Sequence, residues 1–83
     1  MKVEFRKLVE KELAKARGKY GKQASVHEGY AILLEEVDEF WEHVRAKSHK
    51  RNYKELLGEL VQIASSAQKT AEDVVIPRIK RKR

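Results

Sequence analysis

There is no cysteine among the 83 residues, which excludes disulfides, thiolate zinc sites and thiol nucleophiles. Proline occurs once and glycine four times, too few of either for a turn-rich β-sandwich or barrel. No apolar run approaches the ~20 residues of a membrane span. The opening segment MKVEFRKLVEKEL sets acids among its apolar residues, where a signal peptide carries an unbroken apolar core. These absences predict a helical, cytoplasmic chain with no membrane partner. Length narrows the expectation further. At roughly 100–200 residues per domain this is one small domain, and a chain of this size buries only about 60–65% of its unfolded surface. A lone monomer is marginal at that size. With disulfides excluded, a metal or self-association is left to stabilise it.

Charge is plentiful but unevenly placed. Nineteen Lys/Arg against thirteen Asp/Glu give a net +6, a balance that points toward polyanionic partners. Eight of the basic residues lie in residues 1–22, five in 45–54 and five in 78–83. From Gln23 to Val44 there is no Lys or Arg, yet there are six acids: Glu28, Glu35, Glu36, Asp38, Glu39 and Glu42. A solvated helix usually mixes its signs at i,i+4 spacing. This stretch concentrates one sign, and its acids repel unless a cation or basic groups from elsewhere sit among them.

Three helices can be read from the periodicity. The first spans about Val3–Arg17 on a loose apolar stripe of Val3, Phe5, Leu8, Val9, Leu13 and Ala16, and Gly18 and Gly21 end it. The second opens on a capping box of Ser25 and Glu28. It continues through Tyr30, Leu33, Leu34, Val37, Phe40, Trp41 and Val44 at i, i+3, i+4, i+7 spacing, to end near Lys47. The third opens on Asn52 with Glu55 and runs through Leu56, Leu57, Leu60, Val61, Ile63, Ala64, Ala67, Ala71 and Val74. Pro77 stops it or kinks it. The short SHKR connection predicts an antiparallel hairpin of the second and third helices. The expected fold is therefore all-α, an antiparallel helical hairpin plus an N-terminal helix. Residues 1–76 form the domain and residues 77–83 a basic C-terminal tail.

Carboxylates are the chemistry-bearing groups. At about 100° per residue, Glu35, Glu36 and Glu39 fall on one side of the second helix, with Cβ atoms at i,i+3 and i,i+4 about 5–6 Å apart. On the third helix Glu59 and Gln62 form a second i,i+3 pair. Glu59 lies inside the apolar run LLGELVQIA, where a carboxylate is costly unless paired or metal-bound. In an antiparallel hairpin the two sets meet. Oxygen donors from Glu36, Glu39, Glu59 and Gln62, completed by water, suit Mg²⁺, with Mn²⁺ as a substitute. His43 and His49 show no zinc-ligand spacing, and Trp41, on the apolar stripe, reads as core.

The run Glu35-Glu36-Val37-Asp38-Glu39 resembles the EExxE element of the MazG-like all-α nucleoside triphosphate pyrophosphohydrolases. Glu59, on the next helix, is similar to the first acid of that family's ExxD element. The resemblance covers about His27 to Asp73, with HEGYAILLEEVDEFWEHV and ELVQIASSAQKTAEDV as its main phrases. It implies cleavage of a nucleoside triphosphate to the monophosphate and pyrophosphate. It further implies Mg²⁺ on Glu36, Glu39 and Glu59, and Glu35 as the residue orienting or activating water. Gln62 departs from the pattern, which has aspartate there. It also implies a homodimer or homotetramer, reached here by pairing hairpins into a four-helix bundle.

That reaction needs cations on the outer phosphates. Lys19, Lys22, Lys54 and Lys69 are the candidates, with His27 and Asp73 as further substrate contacts and Tyr20 or Trp41 as a stacking surface for the base. Two alternatives stay open. One is a small basic helical module that binds nucleic acid or a protein. The other is a catalytically degenerate relative of the same enzymes.

Overall fold

The computed structural model describes residues 3–81. Within them the chain folds into helices alone: α1 (Phe5–Lys19), α2 (Val26–Val44), a 3₁₀ turn (Ser48–Lys50) and α3 (Tyr53–Thr70). A π-turn (Ala71–Val75) and a short α4 (Ile76–Arg81) follow. Among the described residues there is no strand, and no helix is long and apolar enough to cross a membrane.

Local chemistry sets the boundaries. Ser25 Oγ accepts from the Glu28 N–H at 3.1 Å, and Glu28 Oε1 accepts from the Ala24 N–H, so both halves of the first capping box form. The second box forms only in part. Asn52 Oδ1 accepts from the N–H groups of Lys54 and Glu55, but the Glu55 side chain turns to His43 instead of reaching back. α2 ends at Val44, short of the predicted Lys47. Arg51 donates from both Nε and Nη2 to the Val44 carbonyl, at 3.2 and 2.8 Å, and so satisfies a carbonyl that a longer helix would have bonded internally. α1 lies two residues later than expected, with Gly18 absorbed into its last turn.

Pro77 does not stop the third helix. The chain remains helical through it to Arg81, with the π-turn in the preceding residues. The basic tail expected from residue 77 is thus, through Arg81, a continuation of α3, while Lys82 and Arg83 lie outside the described residues.

α3 is the central element. α2 packs against it antiparallel: Gly29, near the start of α2, meets Thr70, and His43, near its end, meets Glu55 and Glu59. α1 packs on another side of α3 and runs parallel to it. Leu8 lies by Leu57, and Arg17 by Asp73. The buried apolar set is small, namely Val9, Leu13, Val61 and Val74.

The molecule is elongated, 53 × 28 × 24 Å, with a radius of gyration of 14.7 Å against about 12 Å expected for a compact chain of this length. Its accessible area is 6812 Å², whereas a globular monomer of this mass exposes about 5,100 Å². Large apolar side chains contribute to it. Tyr30, Leu34, Val37 and Trp41 on α2 are exposed, as are Tyr53 and Leu60 on α3. Trp41, expected in the core, is 56% exposed. Its stripe is rotated by roughly a third of a turn from the line of Gly29, Glu36 and His43 that meets α3.

Candidate functional site

Three of the predicted carboxylates converge. One oxygen each from Glu36, Glu39 and Glu59 lie within 4.8 Å of one another. The antiparallel hairpin accounts for this: the i,i+3 pair on α2 faces α3 at the half-buried Glu59. The Glu59 side chain is 21% exposed, yet its Oε2 is sealed from solvent and meets no hydrogen-bond partner among the described residues. Burial raises the Glu59 pKa, the Glu39 charge adds to this, and His43 opposes it. Glu36 is raised further, to about 7, first by burial and then by the charges of Glu39 and Glu59. Like charges this close keep one proton among them or take up a cation.

His43 is the member that sequence reasoning missed. Its Nε2 lies 3.9 Å from Glu59 Oε1 and its Nδ1 3.6 Å from Glu55 Oε1. Spacing on one helix gave no warning, because the partners belong to α3. The Asn52 cap supplies a hint only in retrospect, since a Glu55 that leaves its capping box is free to meet a facing residue.

Beside the cluster a cleft of about 780 Å³ opens between α1, the first half of α2 and α3. Glu35, Glu36 and Gln62 line it together with Lys15, Lys19, Tyr20 and Lys22, and the acids Glu12 and Glu28 line it as well. Glu36 belongs to both the cleft and the carboxylate cluster. Glu35 therefore faces the space next to the cluster, and two of the predicted lysines, Lys19 and Lys22, line the same space. Lys15, which the sequence did not single out, joins them. The Lys19 ammonium lies 5.4 Å from the Tyr20 ring centroid.

The remaining candidates are placed elsewhere. Lys54 lines a second shallow groove between α1 and α3, with Leu8, Lys11, Leu57 and Val61, which adjoins the main cleft at Glu12, Lys15 and Gln62. His27 is exposed on the first turn of α2 and lines neither cleft. Trp41 lines neither as well.

Lys69 borders the main cleft, but its side chain is only 8% exposed. Its ammonium donates to the Gly21 carbonyl at 2.8 Å and to Asp73 Oδ2 at 2.7 Å. Asp73, with a side chain 2% exposed, also accepts from Arg17 Nη1 at 2.8 Å and from the Gln23 N–H at 3.0 Å. Burial alone would raise the Asp73 pKa. The bonds from Arg17, Lys69 and the Gln23 amide outweigh it and hold the carboxyl well below the usual range. Lys69 and Asp73, expected at the substrate, thus face each other and the α1–α2 loop. The i,i+4 pair was visible in the sequence, whereas its partners lie about fifty residues away and were not.

No family model, no curated protein and no solved structure matches the chain.

Proposed function

We propose that the chain is a divalent-cation-dependent nucleoside triphosphate pyrophosphohydrolase of the MazG-like kind. The observation that carries this reading is the contiguity of the Glu36–Glu39–Glu59 oxygens with a cleft lined by Lys15, Lys19 and Lys22. A triphosphate needs a cation near its reacting phosphorus and positive charge around its outer oxygens. The donor set fits Mg²⁺ or Mn²⁺: three carboxylates with no soft ligand, including one buried oxygen, Glu59 Oε2, that lacks a hydrogen-bond partner among the described residues.

In this reading Glu36, Glu39 and Glu59 hold the cation, which when bound neutralises charge on the phosphates. Gln62, lining the cleft close by, contributes an amide oxygen and no charge. Glu35, facing the cleft, orients a water and takes its proton as the water oxygen bonds to the α-phosphorus. The bond from that phosphorus to the bridging oxygen breaks, and pyrophosphate leaves with the oxygen. Lys15, Lys19 and Lys22 hold the outer phosphates, and Tyr20, which lines the same cleft, contacts the base in this reading. The working form in this reading is a homodimer or homotetramer. Its support is the exposed stripe of Tyr30, Leu34, Val37 and Trp41 with Leu60. The roughly 1,700 Å² of surplus surface exceeds the ~800 Å² per partner of a standard interface.

The test is pyrophosphate release from a panel of ribo- and deoxynucleoside triphosphates, with Mg²⁺ and with EDTA. Release that needs the metal and disappears in Glu35→Gln supports the reading; a panel that shows no metal-dependent release sinks it. A second reading, a basic module for nucleic acid, draws on Arg78, Lys80 and Arg81, exposed on α4. It predicts salt-sensitive binding of a DNA or RNA duplex that EDTA leaves unchanged.

A further inference from the structure

The side-chain bonds that tie the α1–α2 loop to α3 converge, among the described residues, on a short stretch of the long helix. The Gly21 carbonyl accepts from Lys69, the Gln23 side chain from Thr70, and the Gln23 N–H donates to Asp73. This loop, with Tyr20, Gly21, Lys22 and Gln23, forms one wall of the main cleft. Asp73 is its best-connected anchor, because the same carboxylate also takes Arg17 from the end of α1.

Asp73 lies inside the π-turn, four residues before the chain's single proline. A proline has no N–H to give the carbonyl four residues back, and its ring crowds that carbonyl. For Pro77 that carbonyl belongs to Asp73. The helix responds one turn earlier: the Ile76 N–H bonds Ala71, five residues back. A π-turn adds a residue to one turn and carries its members away from the α-helical path. The loop anchor therefore sits in the turn that the proline widens.

We propose that Pro77 sets the position of Asp73, and that Asp73 is the positioning residue of the cleft's loop wall. Closing the π-turn to an α-turn shifts the Asp73 carboxylate relative to donors now held at 2.7, 2.8 and 3.0 Å. Hydrogen bonds weaken steeply with such misalignment. The wall carrying Lys22 then loosens although no residue lining the cleft has changed.

The experiment compares wild type, Pro77→Ala and Asp73→Asn as full chains, reading hydrogen exchange at the Gln23 amide by NMR. Pro77→Ala restores a helical N–H, so it is expected to keep the helical circular dichroism. Its Gln23 amide is expected to exchange at least about tenfold faster, the loss of one net hydrogen bond. Asp73→Asn is expected to exchange faster still. If Asp73→Asn does not fold, Pro77→Ala decides alone. Unchanged Gln23 exchange in Pro77→Ala overturns the link from the proline. Unchanged exchange in a folded Asp73→Asn overturns the positioning role.

The activity arm rests on the pyrophosphohydrolase reading: Pro77→Ala is expected to raise KM for the triphosphate and leave kcat near wild type. Faster exchange with an unaltered KM overturns the cleft-wall role. A wild type without pyrophosphate release sinks the pyrophosphohydrolase reading instead, and the exchange measurement still decides this inference.

Discussion

Gly29 on α2 and Thr70 on α3 approach so closely that a Cβ on the glycine would stand 2.5 Å from both branches of the threonine. It would also stand 2.8 Å from Gln23 Oε1. Thr70 cannot rotate away freely, because its hydroxyl donates to that same Gln23 oxygen at 2.7 Å. Gly29→Ala therefore forces the helices apart where the loop is anchored. Overpacking of this kind costs about 1–3 kcal/mol, offset by the ~1 kcal/mol that alanine gains over glycine in a helix. The expected net loss is up to about 2 kcal/mol, and thermal unfolding measures it. Gly58→Ala is the control: a Cβ there meets nothing within 4 Å, so the propensity gain stands alone and the melting temperature rises.

The carboxylate cluster gives the protein a pH signature. With the Glu36 pKa raised from 4.5 to about 7, the folded state binds more protons than the unfolded state between those values. Stability of the metal-free protein therefore falls as pH rises through that window and levels off above it. A cation replaces the proton, so stabilisation by Mg²⁺ or Mn²⁺ is expected to grow through the same window. Melting temperatures at about pH 5 and about pH 8, with metal and with EDTA, check both signs. Glu36→Gln is expected to flatten the metal-free profile, and Glu59→Gln to abolish the metal-induced shift.

Gln62→Asp adds a negative charge on the cleft side of α3, and tighter Mn²⁺ binding is the expected result. In the metal-free protein the added charge repels Glu36 and Glu59, so a lower melting temperature in EDTA accompanies it. Titration of Mn²⁺ into both proteins measures the first effect. Equal affinities would place position 62 outside the cation's ligands.

The exposed stripe makes its own prediction. Trp41→Glu and Leu60→Glu place charge on surfaces that face solvent in the single chain, so they leave its fold intact. In a homo-oligomer the same residues are buried, and charge there breaks the assembly. Light scattering at micromolar concentration is expected to show wild type above 9.7 kDa and the variants shifted toward it. A monomeric wild type removes the oligomer from the proposal.

The helices were legible because their signals are local. Ser25 and Asn52 mark two starts through bonds to backbone within three residues, and the i, i+3, i+4, i+7 spacing of α2 needs no partner to be recognised. The meeting of Glu36 and Glu39 with Glu59 was legible too, since a short connection allows only an antiparallel hairpin and the hairpin sets the register.

Other features depended on where separate helices came to rest. Lys69 read as a phosphate ligand because a sequence shows a free ammonium and not the Gly21 carbonyl that occupies it. His43 had no partner until Glu55 and Glu59 arrived from α3. Trp41 read as core because periodicity reports that a face is apolar, not what covers it. Pro77 read as a stop or a kink because its missing N–H is a local fact. That the helix widens one turn earlier and continues to Arg81 is seen only in the folded chain. By itself, then, the sequence determined the elements, their caps and the carboxylate line, through interactions spanning a few residues. The tertiary structure alone decided which charged groups are already engaged, because their partners lie up to 56 residues away.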